Sequence, residues 1–402
     1  DLHPRVRRQR QMCIRDSARV CNLSYAQTDW YIYQQQCPLY NAPGLPISWN
    51  KNQYQEGTNE YVAVRPELKK QIEELYRKHP EEARDSFGED PFEVKNILKY
   101  WVLSEKQEFH VIPTDTINIH IDKDALLRSG IMLPKTIRHL KGEDLKDAIP
   151  DKLYIPLTDI RMLTKVDLLM LEMLANCNWE RPLYLAISVG SVSKLKFDNY
   201  FVQEGLAFRF TPFDYKKWGD VGENRLYAVD VERLYDNVMN RYKYGGLDTP
   251  GLYLDETTLR TCWYHRRLFA QLAKELIAQG DNERAKKVLA YAEQVIPGYN
   301  VPETHESGSY DIATAYAALG EKTKAVTLAV HLIAEAEDYI NWAFSLKGNR
   351  IEMVRNDCIY KFWQWNQYNE LLKKIDGEKY KESNRQFEEK YALFAPTMNY
   401  KN

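Results

Sequence analysis

The sequence has no long apolar run and no excess of charge of either sign. Asp167 and Glu172 interrupt the best apolar window, so no stretch of about 18 apolar residues remains to cross a membrane. The 55 Lys and Arg residues nearly balance the 57 Asp and Glu residues, which gives a formal net charge of -2. Because no basic face is expected, we predict that the chain does not bind nucleic acid.

The sequence also has few cysteines and none of the common catalytic motifs. Its six cysteines include no CxxC pair, which argues against zinc and redox motifs. Cys21 and Cys37 could form a disulfide in an oxidising compartment, and buried free thiols are the favoured alternative. Since HExxH, GxSxG and glycine-rich phosphate loops are missing as well, we predict no catalytic, metal or cofactor-binding residue.

One segment brings possible cation ligands close together. His120, Asp122 and Asp124 alternate along the chain after Thr114-Asp115-Thr116. The glycine and the distal glutamate of a calcium loop are absent, so a solvated turn is the favoured interpretation and a hard-cation site the alternative.

Residues 1–17 differ from the rest of the chain. They are basic and lack the apolar region of a signal peptide. Residues 12–17, MCIRDS, resemble a translated transposon end from sequencing libraries. We therefore expect 1–17 to be an artefact, with a disordered leader as the alternative. If they are an artefact, the natural N-terminus lies upstream.

The stretch 165–187 organises the N-terminal region. It predicts a helix, apolar on most of its circumference, that ends near Asn176 and leads through Pro182 into a strand. The apolar run of that strand indicates burial on both faces, as in a mostly parallel sheet flanked by helices. We therefore predict an α/β domain over residues 18–250.

Two polar and aromatic motifs flank predicted strands. Arg19–Ser24 is predicted to be a strand, which places Asp29 and Trp30 beyond its carboxyl end, where ligands bind in parallel sheets. Asn178–Arg181 precedes a strand instead. The favoured interpretation there is structural, with Glu180 and Arg181 pairing with backbone groups or each other while Trp179 packs.

The C-terminal part, residues 251–402, predicts tetratricopeptide-like helical hairpins. The range 266–299 fits one repeat with Gly280 at its turn, and a second copy about forty residues later has Gly320 in the same role. A loop at 298–305 accounts for the excess over the usual period. Trp363 and Trp365 are predicted to seal the end of the stack.

Five motifs in order resemble a known family. They are Arg19–Ser24, Thr28–Ile32, Pro113–Thr116, Asn178–Tyr184 and Tyr200–Arg209. Together they resemble the bacterial membrane-protein family catalogued as domain of unknown function 2723, over about residues 18–250. Members look like relatives of the protein O-mannosyltransferases, which are type C glycosyltransferases. The candidate ligand or interface residues are Asp29, Trp30, Tyr31, Thr114, Asp115, Asn178, Trp179, Glu180, Arg181 and Glu204.

The resemblance implies a longer parent protein. Its transmembrane helices, its catalytic carboxylate and one strand of the sheet would lie upstream, and its donor would be a lipid-linked sugar. This chain would be the periplasmic, non-catalytic part of a membrane-anchored glycosyltransferase, and it would hold acceptor or partner proteins through its helical repeats. A non-enzymatic, membrane-anchored scaffold is the main alternative. A soluble carbohydrate hydrolase with a carboxylate pair about 5 to 9.5 Å apart is a third.

Overall fold

A computed structural model describes residues 18–39, 42–106, 109–189, 195, 197–222, 227–346 and 350–398. The contacts divide the chain into two compact units. The first comprises the described residues of Asp1–Gln203 together with Ala207–Ala228, and the second comprises Glu204–Leu206 and those of Val229–Asn402. The contact boundary follows Ala228, whereas the sequence predicted a domain boundary at residue 250.

A sheet-containing N-terminal region precedes an all-helical C-terminal region, as predicted. The helices of the first region are α1 (Asp29–Gln36), α2 (Lys51–Tyr54), α3 (Leu68–Lys78), α4 (Pro80–Phe87), α5 (Val94–Ile97, continued by a π-helical turn Leu98–Val102), α6 (Lys123–Arg128), α7 (Gly142–Ala148) and α8 (Lys165–Asn176). The strands are β1 (Tyr61–Val64), β2 (Val111–Ile112), β3 (Thr116–His120), β4 (Lys152–Pro156), β5 (Met162–Thr164), β6 (Tyr184–Ala186), β7 (Phe201–Gln203), β8 (Ala207–Phe210) and β9 (Ala228–Val229). A short 3-10 turn, Asp198–Tyr200, leads into β7.

The prediction of one mostly parallel sheet was wrong. The described strands form three small sheets, ordered β2-β1-β5, β3-β4 and β6-β8-β7-β9. β1 and β2 pair in parallel, whereas β1–β5, β3–β4, β6–β8 and β7–β8 are antiparallel. The misleading run contains β6, which lies at a sheet edge with Tyr184 48% exposed. Its apolar composition therefore does not reflect burial on both faces.

The predicted strand at Arg19–Ser24 was also wrong, because this segment forms turns. Its polar groups find partners close by. Arg19 donates to the carbonyl oxygens of Gln34 and Cys37 at the end of α1, at 3.1 and 3.2 Å. The backbone N–H of Asn22 donates to the Tyr31 hydroxyl at 2.6 Å. The segment thus serves to fix α1 and adds no strand to a sheet.

Helix α8 is the predicted buried helix; side chains cap its start and also pair with the buried Glu172 carboxylate near its end. Thr164 and Asp167 form a reciprocal capping box at its start, which pairs two backbone N–H groups that the helix leaves free. In its last turns, Glu172 accepts hydrogen bonds from the backbone N–H and the hydroxyl of Ser48, at 2.8 and 2.5 Å, and from Asn176 at 2.9 Å. These bonds offset the cost of burying the two carboxylates.

Lys165, the first residue of α8, is 1% exposed. Its ammonium group donates to the carbonyl oxygens of Tyr54 and Gln55, at 3.1 and 3.3 Å, and to the Glu60 carboxylate at 2.6 Å. One buried cation therefore ties the turn after α2 to the start of the core helix.

The C-terminal region consists of helices and the loops that connect them. They are α9 (Val231–Asp236, continued by a π-helical turn Asn237–Arg241), α10 (Glu256–Ala278), α11 (Asn282–Val295), α12 (Ser309–Ala318), α13 (Lys322–Ser345), α14 (Arg350–Met353), α15 (Arg355–Ile375) and α16 (Gly377–Met398). α10 packs against α11 and α12, α13 against α12 and α15, and α15 against α16. Gly280 and Gly320 have φ of 81° and 77° at the two predicted turns, a conformation that glycine adopts without strain. Among the described helices, none has both the length and the apolar character that a membrane crossing requires.

The loop between α11 and α12 is held by Arg266, a buried residue of α10. Its guanidinium donates to the carbonyl oxygens of Ile296, Val301 and Pro302, at 3.0, 2.6 and 2.8 Å, and to the Ser307 hydroxyl at 3.1 Å. Burial lowers the pKa of Arg266 to about 10, so the group stays charged at neutral pH. The loop at 298–305, which was predicted to lie outside the repeat pattern, is thus anchored by a buried arginine of α10.

Replacing Arg266 with Met should destabilise the helical region strongly. The substitution keeps the apolar stem but leaves three carbonyl groups unpaired, each costing about 1–3 kcal/mol, so we expect a loss of about 3 kcal/mol or more in urea unfolding. The matched control is Arg260→Met on the same helix, where Arg260 is exposed and a change within about 0.5 kcal/mol is expected. Equal stabilities for the two variants would contradict the anchoring role.

Candidate functional site

The first candidate residues lie on and beside α1, where three aromatic rings meet. Trp30 is 56% exposed and its ring centroid lies 6.0 Å from Tyr25 and 5.6 Å from Tyr31. Tyr31 is buried, and Asp29 is exposed and accepts from the Trp30 backbone N–H at 2.7 Å. Because the described residues before α1, 18–28, form no strand, Asp29 and Trp30 do not lie beyond a strand end there. What remains is a small exposed aromatic surface.

Thr114 and Asp115 close a turn before β3. Thr114 is fully buried, and its hydroxyl donates to the carbonyl of Thr116 and accepts from its N–H, at 3.0 and 3.1 Å. Lys69 lies 3.1 Å from the Asp115 carboxylate, and this hydrogen bond holds the pKa of Asp115 below its ordinary value. Both residues are therefore engaged in local structure.

The oxygen-rich segment that follows does not assemble a metal site in the described part of the chain. Asp122 caps α6 by accepting from the Ala125 N–H at 2.9 Å, and Asp124 pairs with Lys146 at 2.8 Å. No group of three or more His, Cys, Asp or Glu side chains among the described residues is arranged to hold a metal ion. The five cysteines that the structure describes, including Cys21 and Cys37, are free thiols.

Asn178 and Trp179 form an unusual turn after α8. Both have positive φ, 47° and 62°, which is costly for residues other than glycine. Lys95 donates to the Asn178 side-chain oxygen at 2.7 Å, and the Trp179 indole N–H donates to the His120 carbonyl at 2.8 Å. Trp179 also stacks on Phe210, with centroids 6.1 Å apart. These contacts hold the strained turn in place.

The structure brings Trp179 and Arg181 together with an arginine that the sequence analysis missed. Arg209 on β8 is buried and donates to the carbonyl and hydroxyl of Ser129, at 2.9 and 2.8 Å. Arg181 donates to the Gly44 carbonyl at 3.2 Å. The free volume between these residues is about 10 Å³, which is room for about one water molecule. A charged residue inside an apolar strand was the available signal for Arg209.

The favoured structural interpretation of the Asn178–Arg181 motif therefore fits the geometry. Trp179 packs and Arg181 pairs with a backbone carbonyl, while Glu180 is exposed. The cleft beside them has no room for a substrate.

Glu204, the last candidate, belongs to the second contact unit. It is buried, and its carboxylate pairs with Arg233 at 2.8 Å. Its backbone carbonyl accepts from the Asn237 side chain at 2.6 Å. Glu204 therefore connects the 204–206 turn to α9 and its π-helical extension.

Two half-exposed aromatic side chains of the helical region, Tyr360 and Trp363, lie beside His305. We call this group the His305 cluster; it comprises His305, Tyr310, Tyr360, Trp363 and Tyr368. Tyr360 and Trp363 stack at 5.6 Å with an angle of 12°, and they are 45% and 49% exposed. His305 stacks on Tyr310 at 5.7 Å, and its Nδ1 lies 2.9 Å from the Tyr368 hydroxyl oxygen.

Trp363 and Trp365, which were predicted to seal the end of the stack, lie in different surroundings. Trp365 is fully buried and donates to the Ser383 hydroxyl at 2.8 Å. Trp363 faces solvent as part of the His305 cluster. The sequence signal for the cluster was the long loop at 298–305, which brings a histidine to this face.

A family model described as TMEM260-associated domain 2 matches residues 8–232, more than half of the chain. The chain belongs to this family. No curated protein and no solved structure matches it. All candidate residues from Asp29 to Glu204 lie inside the range of TMEM260-associated domain 2, whereas helices α10–α16 lie beyond it. The match begins within 1–17, and the interpretation of that segment as artefact or leader stays a prediction.

In this TMEM260-associated domain 2, Trp179→Phe should lower stability. Phenylalanine keeps a ring against Phe210 but loses the hydrogen bond to His120, so we expect a loss of about 1 kcal/mol in urea unfolding. The control is Trp30→Phe at an exposed ring, where the change should stay within about 0.5 kcal/mol. Unchanged stability of Trp179→Phe would contradict a structural role for the hydrogen bond from the indole N–H to His120.

The helical region should lose stability in mild acid. Burial lowers the pKa of His305 and of His265 below the ordinary value of 6.5. As the pH falls through that value the unfolded chain takes up protons first, so the free energy of unfolding should decrease as the pH falls from about 7 through 6.5. His305→Gln should reduce this slope, as measured by urea titrations at several pH values. An unchanged slope in the variant would disprove the contribution of His305.

Proposed function

We propose that this chain is the polypeptide-binding, non-catalytic part of a membrane-anchored glycosyltransferase-like protein. It holds acceptor or partner proteins on the periplasmic side of the membrane, close to an active site in the parent that uses a lipid-linked sugar. The observation that carries the proposed polypeptide binding is the His305 cluster, whose stacked Tyr360 and Trp363 face solvent in the helical region. The ordered motifs that resemble the family of domain of unknown function 2723 support the proposed membrane-anchored, glycosyltransferase-like parent.

We propose that the helical region binds polypeptides as a tetratricopeptide-like array. α10 and α11 form one hairpin around Gly280, and α12 and α13 form a second around Gly320. Small residues lie at the helix contacts, among them the fully buried Ala273 and Ala313. Arrays of such hairpins bind extended peptides on one face. We therefore assign these helices to a tetratricopeptide-like fold as part of the proposal.

The surroundings of the His305 cluster suit a polypeptide. Half-exposed aromatic rings are the side chains that most often dominate the binding energy of protein interfaces. A partly exposed polar pair lies beside them: Lys361 contacts Glu335 at 3.0 Å. An aromatic centre with paired polar groups at its edge is the usual anatomy of a protein-binding surface. An extended segment of an acceptor or partner protein is the ligand that we propose.

The alternative is a membrane-anchored scaffold whose parent carries out no glycosylation. The scaffold and the glycosyltransferase proposals predict the same binding surface, so an experiment on the parent protein is needed to distinguish them. Substituting the membrane carboxylates of the parent should abolish glycosylation of the bound acceptor if the parent is an enzyme. Unchanged glycosylation, measured by intact-protein mass spectrometry, would favour the scaffold.

The binding half can be tested with the chain itself. A phage-displayed library of 12-residue peptides is selected on the full chain, and enriched peptides are measured by fluorescence anisotropy. Tyr360→Ala combined with Trp363→Ala should weaken binding about tenfold or more, because interface aromatic residues contribute above about 1.4 kcal/mol. The control is Tyr253→Ala, a tyrosine that is 91% exposed and outside the cluster.

Circular dichroism checks that the variants stay folded. Failure to enrich any peptide, or equal binding by the double variant and the control, would refute the assignment of this surface.

A further inference from the structure

Strand β4 is an open edge of the two-stranded sheet in the N-terminal region. It pairs with β3 on one side, and no strand of the described residues pairs with it on the other. No described helix makes extensive contact with it. With five residues it is as long as any strand in the described chain, and Tyr154 at its centre is 58% exposed. An edge of this kind presents unpaired backbone groups to solvent.

The hydrogen bonds at the two ends of the β3–β4 pair show which residues bond across it. The N–H of Leu157 donates to the Asp115 carbonyl at 2.7 Å, and the N–H of Ile121 donates to the Asp151 carbonyl at 2.9 Å. In an antiparallel pair such bonds recur at every second residue. The odd-numbered residues of both strands therefore bond to one another across the pair.

The even-numbered residues of both strands direct their backbone groups away from the pair. On β3 this is seen directly, because the Asn118 N–H donates to the Phe92 carbonyl at 2.9 Å. On β4 the corresponding residues are Lys152, Tyr154 and Pro156. The N–H groups of the first two and the carbonyl groups of all three have no hydrogen-bond partner among the described residues.

The lysine that could protect this edge is held away from it. The Lys152 ammonium lies 2.6 Å from the Asp90 carboxylate. Asp90 belongs to the segment whose Phe92 carbonyl pairs with Asn118 on the far side of β3. The charge is therefore drawn across the face of the sheet toward β3, and it does not repel a strand that approaches β4.

The side chains of β4 also set the pattern that a neighbouring strand would need. Leu153 and Ile155 face the core and are 3% and 2% exposed, whereas Tyr154 between them faces solvent. A strand added to the edge continues both faces of the sheet. It would place apolar residues beside Leu153 and Ile155 and polar residues beside Tyr154.

We propose that the open edge of β4 binds an extended segment of a partner polypeptide as an added antiparallel strand. The outward N–H and carbonyl groups repeat at the spacing of a strand, so another strand is the ligand whose donors and acceptors match them. The inference goes beyond the proposed function because it concerns the first contact unit and does not require the His305 cluster.

A second copy of this chain fits the edge less well. If two β4 strands paired antiparallel about Tyr154, Lys152 of each copy would lie opposite Pro156 of the other. Proline has no N–H to donate, so the Lys152 carbonyl would remain unpaired. A segment without proline at that position pairs every outward group of the edge.

The probe is the peptide acetyl-Thr-Val-Thr-Val-Thr-amide, titrated into the full nitrogen-labelled chain and followed by NMR. Its valines would continue the apolar face, which directs the threonine N–H groups toward β4. Binding should shift the backbone amide signals of Lys152 and Tyr154 and slow their hydrogen exchange about tenfold or more.

Two methylated peptides of the same sequence test the direction of the hydrogen bonds. A methyl group on the central threonine nitrogen removes a bond to β4 and blocks its approach, so binding should weaken about tenfold or more. A methyl group on the second valine nitrogen, which points away from β4, should change binding by less than about threefold. Equal effects of the two methyl groups, or no binding of the parent peptide, would overturn the proposal.

Variants of Tyr154 test the edge from the side of the protein. Tyr154→Pro removes one outward N–H, which an edge strand tolerates, and it should weaken peptide binding about tenfold. Tyr154→Phe keeps the N–H and should bind as the unsubstituted chain does. Circular dichroism checks folding, and the methylated peptides decide the question if Tyr154→Pro unfolds. A dimer of the peptide-free chain that Tyr154→Pro dissociates would replace the proposal with self-association.

The same peptide separates this edge from the His305 cluster. The Tyr360→Ala, Trp363→Ala double variant should bind it as the unsubstituted chain does. If the library peptides bind the cluster while the threonine-valine peptide binds nowhere, the edge proposal fails and the proposed function stands. The converse result would support the β4 edge and remove the His305 cluster as the polypeptide-binding surface.

Discussion

Both units depend on hydrogen-bond partners for buried carbonyl groups that lie outside regular helices and sheets. The strands are short, so much of the N-terminal backbone runs through turns whose carbonyls need partners from elsewhere. Long cationic side chains supply them. Lys165 pairs with the carbonyls of Tyr54 and Gln55, and Arg266 with three carbonyls of the loop between α11 and α12. In each unit a buried cationic side chain stabilises irregular backbone that the hydrogen bonds of helices and strands do not reach.

The pairing of polar groups within the protein also bears on function. Polar residues that looked reactive in the sequence are occupied: Asp115 pairs with Lys69, and Glu204 with Arg233. Large aromatic side chains also face solvent, notably Trp30 and Trp363. A surface of this kind recognises a ligand by ring faces and shape more than by charge. This is the property that a protein holding extended polypeptides needs, and it agrees with the function that we propose.

The sequence predicted elements whose pattern is local and missed what depends on distant partners. The buried helix α8 was predictable because its apolar residues are contiguous and Pro182 forbids continuation. The turns at Gly280 and Gly320 were predictable because a helical hairpin needs a residue that tolerates positive φ. The direction of strand pairing was not, because β6 carries a core-like composition at a sheet edge. Arg209 and Arg266 were missed because an arginine in an amphipathic pattern usually lies at the surface.

Arg266 and His305 in the helical region respond differently to pH. Arg266 keeps its charge at every pH at which a protein normally works, so the loop before α12 stays anchored to α10. Partial burial lowers the pKa of His305, at the end of that same loop, so its imidazole is neutral at neutral pH and takes up a proton in acid. A permanent charge thus supports the scaffold, and a titratable group lies at the aromatic surface. Acid would therefore act on the recognition surface through His305 while Arg266 still anchors the loop behind it.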